Sequence, residues 1–263
     1  MRVKLLWILW ILVMPAAQCA ACVKTVRWYD DAPYSFRAPT GEIRGFDADL
    51  VRALLAQMGC TANFVNMPWA RAVAELEAGR LDILPGTLRN EERERFAHFS
   101  KPALESPNIL YLSSGATSKY RLMRLEDLLG TSFRLGVQRG VSYGSQFEQV
   151  RQDPRFVANL VPITLRRSAW RMLELGRIDG LIADQATARL ELRQLALETK
   201  IADSGIVVSS STAVFAFSKR SLNPSFVAAF DKHLTVALND GSYRTIREHY
   251  LGCPARAKIL GCK

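Results

Sequence analysis

Four side chains in this sequence have the types and settings needed to hold a small charged molecule. Arg93, in NEERERFAHFS, offers a rigid guanidinium fork that grips a carboxylate through two bonds, as lysine cannot. Asp184 ends the apolar run of GRIDGLIAD, at the tip of a buried strand, where open α/β sheets bind ligands and where a carboxylate can accept from an ammonium. Trp69, in PWARAV, stands at a helix start and can cover a ligand side chain while excluding water. Ser142, just after RGV, brings a hydroxyl and a backbone N–H close to a helix N-terminus, a favourable place for a carboxylate. Each residue also has an ordinary structural use. Arg93 can pair with a neighbouring glutamate, Trp69 can fill core, and Asp184 and Ser142 can cap helices.

Other chemistries lack their residues. A serine hydrolase of the α/β type needs G-x-S-x-G, a spacing that GVSYG at 140–144 meets, but only three histidines are available as its base. The three histidines, His98, His233 and His249, stand far apart, and no H-E-x-x-H or close Cys/His cluster supplies zinc ligands. GVQRGVSYG and GTLRN match neither the dinucleotide fingerprint nor the P-loop. No cofactor is expected. The formal charge of +10 raises nucleic acid as a partner, but the basic residues are scattered through segments of mixed sign, so none is expected.

The elements that must position the four residues alternate. Lys24 to Tyr29 reads as a strand; Asp47 to Met58 carries Leu50, Val51, Leu54, Leu55 and Met58 at helical spacing with Gly59 as a stop. Cys60 to Met67 is a second strand, Pro68 opens a helix ended by Gly79, and Leu81 to Leu84 is a short buried strand. A β-α-β-α-β order predicts an α/β fold. Further strands are expected at Ile109–Ser113, Phe133–Val137, Asn159–Ile163, Ile178–Ala183 and Ala213–Ser218. Further helices are expected at Gly140–Gln149, Ser168–Leu175, Pro224–Leu238 and Ser242–Tyr250. LEAGRLDILPG in the first half is echoed by LELGRIDGLIAD in the second, which suggests two lobes built alike, with crossings near 105–111 and 199–210.

A chain of 263 residues is long enough for two such lobes. Its first 21 residues read as a secretory signal: a basic start, the apolar run Leu5–Met14, then small residues up to Ala21. That run falls well short of the ~20 residues that a membrane span needs. Cleavage after Ala21 leaves Cys22, Cys60, Cys253 and Cys262, an even number compatible with two disulfides in an exported protein. Cys253 and Cys262 can close a loop in the tail; Cys22 and Cys60 each precede a strand and meet if those strands are neighbours. A lipid anchor on Cys22 is the competing use of that residue.

Taken in order, YDDAPYSF, GEIRGFDADLVRALLAQMG, PWARAVAELEAGRLDILPGTLRNEERERFAHFSKPAL, FRLGVQRGVSYG and GRIDGLIADQATA resemble the bacterial extracellular solute-binding proteins of family 3, from about Val26 to Tyr250. The resemblance implies a type II periplasmic binding protein, or Venus flytrap: two α/β lobes joined by two crossovers, with residues 22–108 plus 208–263 in the first and 109–207 in the second. It further implies a periplasmic monomer that captures an amino acid by lobe closure and serves an ABC transporter permease. The carboxylate-binding arginine of the family falls on Arg93 and its ammonium-binding aspartate on Asp184. Its stacking aromatic falls on Trp69 and its small hydroxyl residue on Ser142. Gly86 and Leu88 match positions whose backbone touches the ligand, with Thr87 between them. Two features depart from the pattern: Asp31 stands where many members carry an aromatic, which makes it a further candidate ligand contact, and DILPG is a residue short and lacks a serine. Arg71 and Arg89 are extra arginines near the same segment. The resemblance extends to periplasmic dehydratases of the cyclohexadienyl type, for which Asp31 or Glu105 would be the acid, and to accessory ligand-sensing proteins.

Overall fold

The computed structural model describes residues 22–252; the leader, Cys253 and Cys262 lie outside the described residues. The chain opens as β1 (Cys22–Trp28), turns through a short hairpin of β2 (Phe36–Arg37) and β3 (Ile43–Arg44), and enters α1 (Phe46–Gln57). Then come β4 (Cys60–Asn66), α2 (Trp69–Glu77), β5 (Ile83–Thr87), the single turn α3 (Glu91–Glu94), β6 (Ala97–Phe99) and β7 (Leu104–Glu105). In α1 the buried Leu50, Val51, Leu54 and Leu55 form one stripe, and Gly59 at φ +70° ends the run in the left-handed region.

A second set follows: β8 (Asn108–Ser113), α4 (Ser114–Lys119), β9 (Leu135–Gln138), α5 (Ser145–Val150), α6 (Pro154–Val157), β10 (Leu160–Ile163), α7 (Arg166–Glu174), β11 (Gly180–Asp184), α8 (Gln185–Gln194) and β12 (Ile201–Ser209). The chain then returns through β13 (Thr212–Ser218) and closes with α9 (Pro224–Asp240) and α10 (Ser242–Tyr250).

Two sheets result. The first has the order β4-β1-β5-β13-β6, with β7 also pairing β13; the second has the order β10-β9-β11-β8-β12. β1, β4 and β5 run parallel, as do β9, β10 and β11, while β13 and β8 run antiparallel to their neighbours. The chain passes from the first sheet to the second between β7 and β8 and returns between β12 and β13. Because the crossing strands run against the others, their N-terminal ends lie beside the C-terminal ends of β1, β5, β9 and β11. Every loop that follows a parallel strand therefore opens toward the crossings.

Helices cover the sheets. Phe46, Phe215, Phe217, Phe230 and Tyr243 pack α1, α9 and α10 on one face of the first sheet, and Ala72, Leu76, Leu81 and Leu84 seat α2 on the other. In the second sheet Trp170 of α7 meets Tyr111 edge to face with ring centroids 5.4 Å apart. Among the described residues no helix is long and apolar enough to cross a membrane.

Several expected elements shift by a residue or more, and two of these shifts have a plain cause. The strand expected at Leu81–Leu84 runs instead from Ile83 to Thr87, because Asp82 is spent on the connection: its Oδ2 accepts from the backbone N–H of Thr25 at 2.7 Å and from the Thr25 hydroxyl at 2.9 Å. The helix expected from Gly140 begins only at Ser145, because Gly140 and Gly144 take φ values of +73° and +88°, which helical backbone does not. The pairing of β1 with β4 puts Cys22 opposite Cys60, and the two form a disulfide with a Cα–Cα distance of 4.5 Å. A sulfur held in that bond cannot carry a thioether, so the disulfide and a lipid anchor on Cys22 exclude each other.

Candidate functional site

Between the sheets, where the loops after the parallel strands converge, lies a cavity of about 120 Å³. At roughly 30 Å³ per water in the liquid, it has room for several waters or a small solute. Trp69, Gly86, Leu88, Arg93, Ser142, Asp184 and Asp31 all line it. The remaining candidate, Thr87, does not. Alternation along β5 turns its side chain to the opposite face from Gly86, and it is fully buried.

Thr87 acts on the site through Arg93. Asn90 caps α3 by accepting the Arg93 backbone N–H at 2.9 Å, which aims the arginine inward from an exposed, charged turn. The Arg93 side chain is 4% exposed; Nη1 donates to Thr87 Oγ1 at 2.7 Å and to the Leu88 carbonyl at 2.9 Å, and Nη2 donates to the Gly140 carbonyl at 2.7 Å. All three partners are neutral. Burial lowers its pKa, opposed in part by Glu92 and Glu148. The guanidinium stays charged all the same. The neighbouring charges are ordinary: Arg89 pairs with Glu94 and Arg71 lies near Glu75, both arginines well exposed.

Gly140, in the loop after β9, joins the two sheets. Its carbonyl accepts from Arg93 and also from Trp69 Nε1 at 2.9 Å. A Cβ at Gly140 would sit 3.2 Å from the Ala70 Cα, on a backbone with φ +73°, so glycine is needed for both shape and approach. Trp69 was expected to stack on a ligand side chain. Part of that surface is taken by the protein's own cations, since the guanidinium carbons of Arg27 and Arg93 lie 5.3 and 5.9 Å from the ring centroid. Ser142 lines the cavity but stands ahead of α5, whose N-cap position is Gly144.

Asp184 lines the cavity and performs one of the two uses expected of it, the helix cap. As the N-cap of α8, its Oδ1 accepts from the Thr187 backbone N–H at 2.9 Å and the Thr187 hydroxyl at 3.0 Å. From across the cleft the Tyr34 hydroxyl donates to Oδ1 at 2.9 Å, and Ser106 donates to Oδ2. Burial and the adjacent Asp184 carboxylate push the Tyr34 phenol well above its ordinary pKa.

Asp31 lies in a network absent from the sequence reading. The guanidinium of Arg166, at the start of α7, donates to Asp31 on the first-sheet side and is held by Glu191 at 2.9 Å on the second-sheet side; Glu191 also accepts from Trp170 Nε1 at 2.6 Å. Arg27 approaches Asp31 to 3.7 Å and donates through Nε to the Met67 carbonyl at 3.3 Å. Burial pushes the Asp31 carboxyl up, but Arg166 and Arg27 outweigh it, and the net effect holds Asp31 below the usual carboxylate range. Burial likewise opposes the charge on Arg166, yet Asp31 and Glu191 leave it well above its ordinary value.

Sequence reasoning missed Arg27, Tyr34, Asp47 and Arg166, all of which line the cavity. Arg27 and Asp47 carried a usable signal: one ends a buried strand and the other opens the helix after the first loop, both at the rim where ligands bind. The histidines lie elsewhere: His98 on β6, His233 beside Gln57 at 2.9 Å, and His249 against Tyr250. Glu105 is exposed on β7.

Known proteins share this plan. A putative ABC transporter arginine-binding protein of Escherichia coli (strain K12) is 25% identical over 86% of this chain and 90% of its own. A cyclohexadienyl dehydratase of Pseudomonas aeruginosa is 24% identical over 62% of this chain and 59% of its own. A solved ancestral arginine-binding protein with bound arginine superposes with a TM-score of 0.75 at 25% identity, covering 88% of this chain and 98% of that one. The family model for bacterial extracellular solute-binding proteins, family 3, matches residues 25–253, and the chain belongs to that family.

Proposed function

We propose that this solute-binding protein captures an amino acid in the cavity between its sheets and presents it to an ABC-type permease. The observation that carries the reading is a buried arginine and a carboxylate facing one cavity from opposite sides, Arg93 on α3 beside the first sheet and Asp184 at the end of β11 in the second. A zwitterion answers both. The relative and the solved neighbour named as arginine-binding support an amino acid as the solute class.

In this reading residues 22–108 and 208–263 form one lobe and 109–207 the other, with the two crossings as hinge. Arg93 takes the ligand carboxylate and Asp184 the ammonium. The backbones of Gly86 and Leu88, the Trp69 ring and Ser142 complete the enclosure, and Thr87 positions Arg93. Asp31 bridges the lobes through Arg166. Closure is favoured because the ligand gains contacts from the second lobe only in the closed state. The protein acts as a periplasmic monomer after removal of residues 1–21.

A thermal-shift screen of the oxidised protein against amino acids and small organic acids tests this, since a solute that binds only the folded state raises its melting temperature. A response to an amino acid supports the reading. A response confined to other acids keeps the flytrap and replaces its ligand class.

One observation favours a dehydratase as second reading: the cavity holds a carboxylic acid, Asp47, whose pKa is raised to about 7 by burial and by Asp31. That is the range a proton-donating catalyst uses. Conversion of a cyclohexadienyl acid during incubation would favour it; intact recovery of a bound amino acid would count against it.

A further inference from the structure

The end of the second sheet that lies away from the cavity is built from three segments. The chain leaves β8 through α4 and runs on as KYRLMRL, and the stretches that lead into β9 and β11 close beside it. Backbone and side-chain bonds tie them together. The Ser113 N–H donates to the Asp179 carbonyl at 3.2 Å, the Asp179 N–H to the Arg134 carbonyl at 2.8 Å, and Arg134 Nη2 to the Gly176 carbonyl at 2.6 Å. Asp179 precedes β11 and Asp184 ends it, so the five residues of that strand, roughly 16 Å long, separate this end from the cavity.

Cations gather here: Lys119, Arg121, Arg124, Arg134 and Arg177. Two of them are answered, Arg124 by Asp127 at 3.5 Å and Arg134 by Asp179 at 2.9 Å. Burial pushes the Asp179 carboxyl up, but the bonds from Arg134 and the nearby charge of Lys119 outweigh it, so Asp179 stays an anion. Lys119 leans over the Tyr120 ring at 4.8 Å. Arg121 and Arg177 are exposed, and no side-chain hydrogen bond or ion pair to either is found among the described residues. Of the neighbouring acids, Glu174 is held by Arg171 and Lys200, and Glu126 is partly buried. Three exposed cations therefore outnumber the one acid that is not already paired.

The same end carries the two most exposed large apolar side chains among the described residues, Met123 at 86% and Leu175 at 64%. Tyr120 and Leu122 pack inward against the core of the second sheet, which leaves Met123 outside between Arg121 and Arg124. Leu175 stands two residues before Arg177. Apolar tips set among cations suit one kind of surface, in which negative phosphates overlie hydrocarbon. Arginine grips a phosphate through its planar fork, and an apolar side chain beside it reaches the acyl boundary below.

We propose that this end of the second sheet docks on a membrane surface carrying anionic phosphate headgroups, with Lys119, Arg121 and Arg177 at the phosphates and Met123 and Leu175 seated beneath them. The contact lies at the opposite strand ends from the cavity, so a docked protein keeps its solute site free. Three cations and two apolar tips give reversible adsorption, not permanent anchoring. Because the charges are exposed, salt weakens it. The inference is independent of which solute the cavity takes.

The experiment is flotation of the oxidised protein with vesicles of phosphatidylcholine, alone or mixed in equal parts with phosphatidylglycerol, over a series of salt concentrations. Wild type should float with the mixed vesicles and not with the neutral ones, and should be released as salt rises. K119E/R121E/R177E should weaken binding by about a hundredfold. M123S/L175S, with its charge unchanged, should weaken it by about tenfold. A control, K101E/R220E/K232E, changes the net charge equally at exposed sites outside this end and should stay within about threefold of wild type at physiological salt. No flotation of wild type, equal binding to neutral vesicles, equal losses in the two triple variants, or unchanged binding by M123S/L175S would each overturn the inference. Capture by soluble polyglutamate through the same three cations, with the vesicles left unbound, would overturn it in favour of an acidic protein partner. If the triple reversal does not fold, the serine pair and the salt series decide.

Discussion

Replacing Arg93 by alanine tests the site at its most specific point. The guanidinium has five N–H donors, and three of its bonds go to Thr87, Leu88 and Gly140. Those bonds fix its plane and leave Nε and one Nη2 hydrogen for a ligand carboxylate. Charge-assisted bonds contribute about 1.5–3 kcal/mol each, and stranding a desolvated charge costs about 2–5 kcal/mol. A loss of about 4 kcal/mol, roughly a thousandfold in Kd, is expected for R93A. R93K keeps the charge but not the fork and should lose about 2 kcal/mol, near thirtyfold. Stability should change less, because the Thr87 hydroxyl lies 3.4 Å from the Leu88 carbonyl and keeps a neighbour. A fall in Tm of only a few degrees is expected for about 1 kcal/mol in a chain of this size. Calorimetry with the solute identified by thermal shift, alongside a melt of each variant, separates the two effects. R93A binding within about threefold of wild type, against the thousandfold expected, would refute the assignment.

Three further outcomes follow from the same geometry. Asp31→Asn removes the interlobe partner of Arg166 and leaves Arg27 and Arg166 facing each other without their shared anion. It should weaken solute binding by about 1–3 kcal/mol and raise the radius of gyration in solution scattering; an unchanged envelope and affinity would remove Asp31 from the closing mechanism. Reduction of Cys22–Cys60, which closes a separation of 38 residues, should cost about 4 kcal/mol on the loop-entropy scale. A melting temperature lower by roughly 10 °C is then expected, and no shift on reduction would contradict this. Asp47 also makes ligand-free stability fall with rising pH. Its folded pKa of about 7 lies above the value in the unfolded chain, so between about pH 4 and 7 the native state holds a proton that the unfolded state has released. Denaturant titrations of wild type should show that decline and flatten above pH 7, and D47N should lack it.

Much of this was legible in the sequence. The α/β alternation, the α1 stripe and its glycine stop follow from local periodicity, and the internal echo announced two similar sheets. Asp184 was readable as a cavity residue because strand ends in open α/β folds line the crevice, and Arg93 because its segment resembles the family's. Other parts depend on contacts distant in sequence. The residues of β12, IADSGIVVS, carry Gly205 and scattered polar side chains and pair with β8 through register shifts, so they show no clean alternation. β6 and β7 are two or three residues long and exist because β13 pairs with them from more than a hundred residues away. The strand end at Asp184 runs straight into α8 without a breaking residue, which hides the helix.

The groups around the cavity divide in the same way. The separation of Thr87 from Gly86 follows from strand alternation and could have been read from ILPGT alone. The Asp31–Arg166 bridge spans 135 positions, and only the folded chain brings its ends together. Asp47 in the sequence is one of two acids in the first turn of a helix, an ordinary place for a carboxylate. Its difference from Asp49, which pairs with Arg52 and Arg44, appears only when the partners around each are known.

The central claim is that a single amino acid occupies the cavity between the sheets. Protein stripped of bound solute by denaturant and refolded with its disulfide intact should be titrated calorimetrically with the common amino acids. One-to-one, saturable binding of at least one of them is expected at about micromolar Kd or tighter, near −8 kcal/mol, with the amino acid recovered unchanged. No binding by any of them, or recovery of a chemically converted product, would contradict it.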